Sequence, residues 1–334
     1  MTEVTPSDTR DAPAGTAGAA QGKRARARPA RGRPGRPAWR GSRRQRDALA
    51  GWLFLLPAVA LIGLLLAEPF VKAVQYSLQN WDGVGVAQYV GLYNYQQIFV
   101  NPVERGSLVN LGLLFIFYAI IPTAGGLIAA GLVRRSRQRG MGVFRFVFFL
   151  PQVIVTVVVA IVWTWLMAPS GTGSINGLLH AVGLGPAVGT PWLGDFNTAL
   201  VAVGLIAVWL DFGLCFVLFL AGIQRISPEL YDAARIDGAG LVTEFLRITV
   251  PLLRRETAAA ITITTVAALQ SFTLIYQATN GGPGYATMVP GLLVYRDGFQ
   301  LGQVGTASAL GIMMSLLIFG LTFGIRALIE RKAT

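Results

Sequence analysis

Few residues in this chain combine reactive chemistry with a demanding position. Asp211 interrupts an otherwise apolar run from Thr198 to Ile223, and Gln270, Ser271 and Thr273 interrupt a second run. A carboxylate at the centre of a membrane helix costs roughly 2.5–3.5 kcal/mol on insertion scales, so it faces a cavity or a partner group. Two readings stand side by side. Asp211 and the Gln270, Ser271 and Thr273 group line a route for a hydroxyl-rich solute, or they bond neighbouring helices and lie near the membrane surface. The other candidate is Ser227 to Pro251, a long charged passage between two apolar runs, with Glu229, Asp232, Arg235, Asp237, Glu244 and Arg247. Covalent, metal and redox chemistry find little to work with. Cys215 is the single cysteine and His180 the single histidine, which rules out a disulfide framework, a cysteine-ligated zinc site or a histidine cluster. No HExxH, no CxxC and no phosphate-binding GxxxxGK[ST] occurs, so the chain does not itself hydrolyse ATP.

Composition explains the setting. Of 334 residues, 53% are hydrophobic and 13% charged, against about 25% charged in soluble domains, and the mean hydropathy is +0.56. This is the composition of an integral membrane protein. The net charge of +12 would suit nucleic acid, but its distribution argues for orientation in a membrane instead. Twelve of the 28 basic residues precede Asp47, in a stretch of Arg, Pro, Gly and Ala that cannot bury a core. Residues 1–48 are therefore expected as a disordered basic cytoplasmic tail near anionic lipid headgroups, and 49–334 as the membrane domain. The tail ahead of an apolar run also mimics a secretory signal. The continuation of the helix past Pro69, and the further spans, favour an uncleaved anchor.

Six spans of roughly 20 or more residues are expected: about Leu49 to Ser77, with Glu68-Pro69 breaking its end, then Ser107 to Val133, Val143 to Ala168, Thr198 to Ile223, Pro251 to Ala278, and a last one ending near Ile329. The fold class is all-α. Four segments hold 25 of the 28 basic residues: the tail, Arg134 to Arg145, Arg225 to Arg255 and Arg326 to Lys332. Because cytoplasmic loops are enriched in Lys and Arg, both termini and Ser227 to Pro251 are expected in the cytoplasm, with Ser170 to Asn197 outside.

Within Ser227 to Pro251, Ser227 is placed to cap a helix, Pro228 suits its first position and Glu229 faces its positive end. Gly238 and Gly240 end it. Asp232-Ala233-Ala234, Gly238-Ala239, Phe245, Ile248 and Pro251 resemble the "EAA" loop of the inner-membrane permeases of binding-protein-dependent ABC importers, with Asp for the commoner Glu and Val250 for Leu before the proline. Other segments are similar to the sugar-type members: Gly91-Leu92, Asn94-Tyr95; Phe148 to Pro151 with Trp163, Gly173 and Asn176; and Thr279, Gly281-Gly282-Pro283 with the stretch from Tyr295 to Ala307. The resemblance covers about Pro57 to Ala309.

It implies a type I (MetI-like) architecture in which Glu229, Asp232, Ala233, Ala234, Asp237 and Gly238 form a coupling helix seated in a groove of a cytoplasmic ATPase. It also implies a second permease subunit, two ATP-binding subunits, which bind the ATP and magnesium, and an extracytoplasmic solute-binding protein. The solute implied is a sugar or polyol. No cofactor is expected in this chain, and no nucleic acid. The alternatives are an ion-coupled secondary transporter, which calls for helices broken near mid-membrane, and a membrane adaptor with no substrate route. The basic-residue asymmetry gives a direct test of topology. With Cys215 removed, Thr172→Cys should react with an impermeant thiol reagent in intact cells and Thr243→Cys should not; equal labelling would contradict the orientation.

Overall fold

In the computed structural model, residues 40–135, 141–169, 174–183 and 189–330 are described. The tail assigned to residues 1–48 lies mostly outside them, as do Gly173 and the last four residues. The chain divides into two compact units, Met1–Val59 and Ala60–Thr334. The described residues are mostly helical, with irregular loops between the helices and a two-residue hairpin pairing Gln79 with Tyr89 and Asn80 with Gln88.

Among the described residues four unbroken helices are long and apolar enough to cross a membrane: Gly51–Ser77, Pro102–Val133, Ala199–Ile223 and Val304–Ile325. Two bent pairs bring the number to six if each pair counts as one span. The expected third span is not one helix but two, Gly142–Val153 and Thr156–Leu166, at 99° to each other. Pro151 removes a helical N–H and crowds the preceding turn, and the β-branched run after it resists helix. Val155 takes an extended conformation between them (φ −59°, ψ 129°). The expected fifth span likewise bends by 47° between Arg254–Leu269 and Phe272–Ala278. Pro251 belongs to a separate short turn, Val250–Leu252, ahead of it.

Pro57 lies inside the Arg40–Ile62 helix without breaking it, and three further prolines are absorbed behind π-helical turns. Pro69, Pro122 and Pro251 each come after a five-residue π-helical turn: Gly63–Ala67, Ile116–Ile120 and Phe245–Thr249. The wider turn moves the carbonyl that the proline ring would otherwise strike, so the helix direction survives. The break expected at Glu68-Pro69 is therefore absent, and Glu68 instead pairs with Lys72 at 2.7 Å along the helix.

The Ala199–Ile223 helix is the most enclosed of the four unbroken spans. Val203, Ile206, Ala207, Cys215, Phe216 and Phe219 on it are fully buried, in two apolar clusters. Its closest neighbour contact is at Gly213, where an added Cβ would collide with the main-chain carbonyl of Phe148. Loops are tied to span ends by single amides. Asn94 donates to the Ser77 and Gln79 carbonyls at 2.9 Å each, and Tyr95 Oη donates to Ser77 Oγ at 2.8 Å. Buried Asn176 donates to Ala168 O at 3.1 Å and accepts from Trp192 Nε1 at 2.9 Å. Asn176 sits on a short helix, Ser174–Ala181, inside what reads as a loop in sequence, and His180 on the same helix is exposed.

Gly213→Val should be among the most damaging substitutions in the membrane domain, because overpacking costs about 1–3 kcal/mol even where the neighbour is a side chain able to move. The expected outcome is a lower melting temperature and poor yield in detergent. Gly320→Ala, where an added Cβ meets nothing within 4 Å, should leave both unchanged.

Candidate translocation cavity and coupling segment

The two helix breaks open onto one cavity of about 230 Å³. Gln152 and Thr156 come from either side of the 99° bend, and Gln270, Ser271 and Thr273 from the 47° bend. Asp211 reaches it from the Ala199–Ile223 helix and Tyr118 from the π turn of the second span. The structure thus places Asp211, Gln270, Ser271 and Thr273, far apart in sequence, around a single space. Asp211 is 6% exposed, and its Oδ2 has no hydrogen-bond partner among the described residues; nor has the buried Ser271 Oγ. Buried polar atoms are almost always paired, so two unpaired ones on residues that line one cavity set this place apart from the rest of the membrane domain. Gln152, Thr156 and Tyr118 escaped sequence reasoning. The available signal was Pro151 directly before Gln152, a helix-breaking residue beside a polar one in the middle of an apolar run.

The charged passage folds as expected over its central helix, Pro228–Ile236. Its end is a Schellman turn. Gly238 takes φ +79°, Gly238 N–H donates to Arg235 O at 3.0 Å and Ala239 N–H to Ala234 O at 2.8 Å. Ser227 occupies the N-cap position, but its side chain does not cap. Pro228 has no N–H to offer, and the Leu230 N–H goes instead to the Ser227 main-chain carbonyl at 3.3 Å.

Glu229, Asp232, Ala233, Asp237 and Gly238 are exposed and Ala234 is half-buried, and an added Cβ at Gly238 meets nothing within 4 Å. Ile236, at 87% exposure, gives that surface an apolar tip. The opposite face is held by two braces that the sequence does not announce. Buried Tyr231 hydrogen-bonds through its hydroxyl to Thr249 Oγ1 at 3.1 Å. Arg235 donates through Nε to the buried Glu244 carboxylate at 3.1 Å and through Nη1 to Asp232 at 3.2 Å. One side chain therefore ties the exposed Asp232 to the segment leading into the next span. Among the described residues no group of three or more His, Cys, Asp or Glu is placed to hold a metal.

A mid-span polar cavity at broken helices, joined to an exposed, internally braced helix between two spans, defines the transmembrane subunit of a transporter. Residues 122–334 match the family of binding-protein-dependent transport system inner membrane components, and the chain belongs to that family. It is a multi-pass inner-membrane permease subunit of an ABC importer, a transport subunit and not an enzyme. It is 34% identical over 279 residues to the probable ABC transporter permease protein YurN of Bacillus subtilis strain 168, covering 83% of this chain and 94% of that one. It is 30% identical over 281 residues to the trehalose/maltose transport system permease protein MalF of Thermococcus litoralis, covering 84% of this chain and 93% of that one. In fold it is similar to a chain of a bacterial ABC transporter involved in the import of the acidic polysaccharide alginate, with a TM-score of 0.73 at 22% identity over 86% of this chain and 99% of that chain.

The braces make separable predictions. Tyr231→Phe removes the hydroxyl bond to Thr249, about 0.5–1.5 kcal/mol, and should lower thermal stability slightly while the permease still inserts. Gly238→Arg forces a side chain onto a left-handed backbone and adds bulk to the exposed face. If this face seats in an ATPase, the variant should release that subunit or uncouple hydrolysis from uptake while the permease still inserts, as read by co-purification and transport in proteoliposomes.

Proposed function

We propose that this chain forms half of the translocation pathway of an ATP-driven importer for a sugar or related polyol. The observation that carries this is the cavity that gathers Asp211, Gln270, Ser271 and Thr273 with Gln152 and Thr156. Carboxylate, amide and hydroxyl groups together suit a solute rich in hydroxyls, which both donates and accepts. The trehalose/maltose assignment in the name of the Thermococcus relative supports the same class. The cavity lies at helix breaks, where unwound backbone is tolerated in a membrane only if it is buried in protein or lines a polar space.

In this proposal the Pro228–Ile236 helix, through Glu229, Asp232, Ala233, Ala234, Asp237 and Gly238, seats in a cytoplasmic ATPase. Both termini are cytoplasmic. A second, different permease completes the pathway, two ATP-binding subunits hold ATP and magnesium, and an extracytoplasmic solute-binding protein delivers the sugar. Helix breaks beside a mid-span cavity are also a hallmark of ion-coupled transporters. Family membership and the exposed, braced loop favour the ATP-driven reading.

Reconstitution with the ATPase, the second permease and the binding protein tests the assignment. Addition of glucose, maltose or trehalose should stimulate ATP hydrolysis. Asp211→Asn, close in shape but unable to carry charge, should reduce uptake at least about tenfold, the loss expected when a charged hydrogen-bond partner is removed, with assembly and basal hydrolysis intact. Wild-type uptake by Asp211→Asn would remove that residue from the pathway.

A further inference from the structure

A second and larger cavity, of about 420 Å³, lies at the far end of the Phe272–Ala278 helix from the coupling segment, in the loop after that helix. Its walls include Asn280, Tyr285, Tyr295, Arg296 and Gln300. This loop is built to hold an unusual shape. Asn280 and Tyr285 both take left-handed backbone conformations (φ +49° and +70°), which for a tyrosine is a sparsely populated state that persists only when its surroundings enforce it. The enforcing bonds are visible: Thr279 Oγ1 and Thr287 Oγ1 lie 2.7 Å apart, Thr287 Oγ1 donates to Gly282 O at 2.8 Å, and Asn110 Nδ2, from the second span, donates to Met288 O at 3.0 Å.

Arg296 is fixed over the Tyr285 ring at 5.0 Å from its centroid, and its Nε sits 3.5 Å from Asp297 Oδ1. That Nε has no hydrogen-bond partner among the described residues, because the approach to Asp297 is an ion-pair distance rather than a bond. Burial pushes the Asp297 carboxyl up while Arg296 draws it down.

Aromatic rings pack together beside this cavity. Phe272 lies between Ser271 and Thr273 in the chain, and its ring meets Tyr276 at 5.3 Å and Tyr295 at 5.5 Å; Tyr295 in turn meets Phe299 at 5.8 Å. Of these four rings Tyr295 lines the Arg296 cavity, and Phe272 is the chain neighbour of Ser271 and Thr273, which line the Asp211 cavity. Sugar rings present an apolar C–H face inside a rim of hydroxyls. Ring faces flanked by amide and guanidinium donors match both parts of that surface, and the volume falls within the roughly 300–1,000 Å³ of small-molecule sites.

We propose that the cavity walled by Asn280, Tyr285, Tyr295, Arg296 and Gln300 is a second saccharide-binding site, distinct from the cavity at Asp211. The proposal rests on the carbohydrate reading given above.

The test uses the assembled importer in nanodiscs with Cys215→Ala and Gln300→Cys, Gln300 being exposed, and measures the rate of thiol labelling on this chain. Glucose, maltose and trehalose are each added alone. The expected result is protection by at least one sugar, about tenfold at ten times its half-protecting concentration, with no effect on Val86→Cys, a residue exposed on the hairpin loop. Asn280→Gly, which keeps the left-handed backbone and deletes the amide, should raise the half-protecting concentration several-fold.

Unchanged labelling with all three sugars overturns the site, whether or not those sugars stimulate ATP hydrolysis. Protection that appears only with the solute-binding protein, and equally in the absence of sugar, also overturns it in favour of a protein contact. Protection by sugar without any stimulation of hydrolysis sustains the site and counts against the translocation reading at Asp211.

Discussion

A helix that breaks inside a membrane releases backbone amides and carbonyls that lipid cannot satisfy. That constraint governs this structure. The breaks at Val155 and at Gln270-Ser271 both open onto the same space, where Gln152, Thr156 and Asp211 supply polar company. The π turns before Pro69, Pro122 and Pro251 show the opposite solution. There the proline is absorbed, and the helix continues to Ser77 after Pro69, to Arg135 after Pro122 and to Leu252 after Pro251. Prolines of the same kind thus have two fates in one chain. Pro151 differs from the other three in two ways. A β-branched run, which lowers helical preference slightly, begins two residues after it at Val153. The tight approach of Gly213 to the Phe148 carbonyl also fixes the first half of the bent span against the most enclosed helix.

Much of this was legible in the sequence. The apolar runs marked the spans to within a few residues, because hydrocarbon thickness sets their length. The Pro228 start and the Gly238 stop of the exposed helix reflect φ preferences that hold wherever those residues sit. The bends were not legible. A run such as Val153 to Val159 is equally apolar whether it continues a helix or begins a new one, and hydropathy does not record direction. Partners across the fold were also silent. Nothing in the spacing of Arg235 and Glu244, or of Tyr231 and Thr249, distinguishes a brace from two solvated side chains until burial is known. Asp211 stood out because charge in an apolar run is costly anywhere, whereas Gln152 did not, since a lone amide beside a proline resembles a loop.

The two proposed functional elements are one continuous piece of chain. The exposed Pro228–Ile236 helix is tied through Tyr231 to Thr249 and through Arg235 to Glu244, both of which precede the Val250–Leu252 turn. Leu253, directly after it, is 1% exposed and packed in the same apolar cluster as Phe219 and Ile223. From Arg254 a single helix of 16 residues, about 24 Å long at 1.5 Å per residue, runs to Leu269, and the next two residues are Gln270 and Ser271 on the cavity wall. In the proposed coupling, a helix that resists compression along its axis would carry displacement of the braced segment, past the turn at Leu253, toward the cavity wall. The bend at Gln270-Ser271 is where such a motion would turn, because a broken backbone is softer than the helix on either side of it. With the polar groups at the joint itself, that proposal makes the geometry of the cavity depend on the position of the Pro228–Ile236 helix.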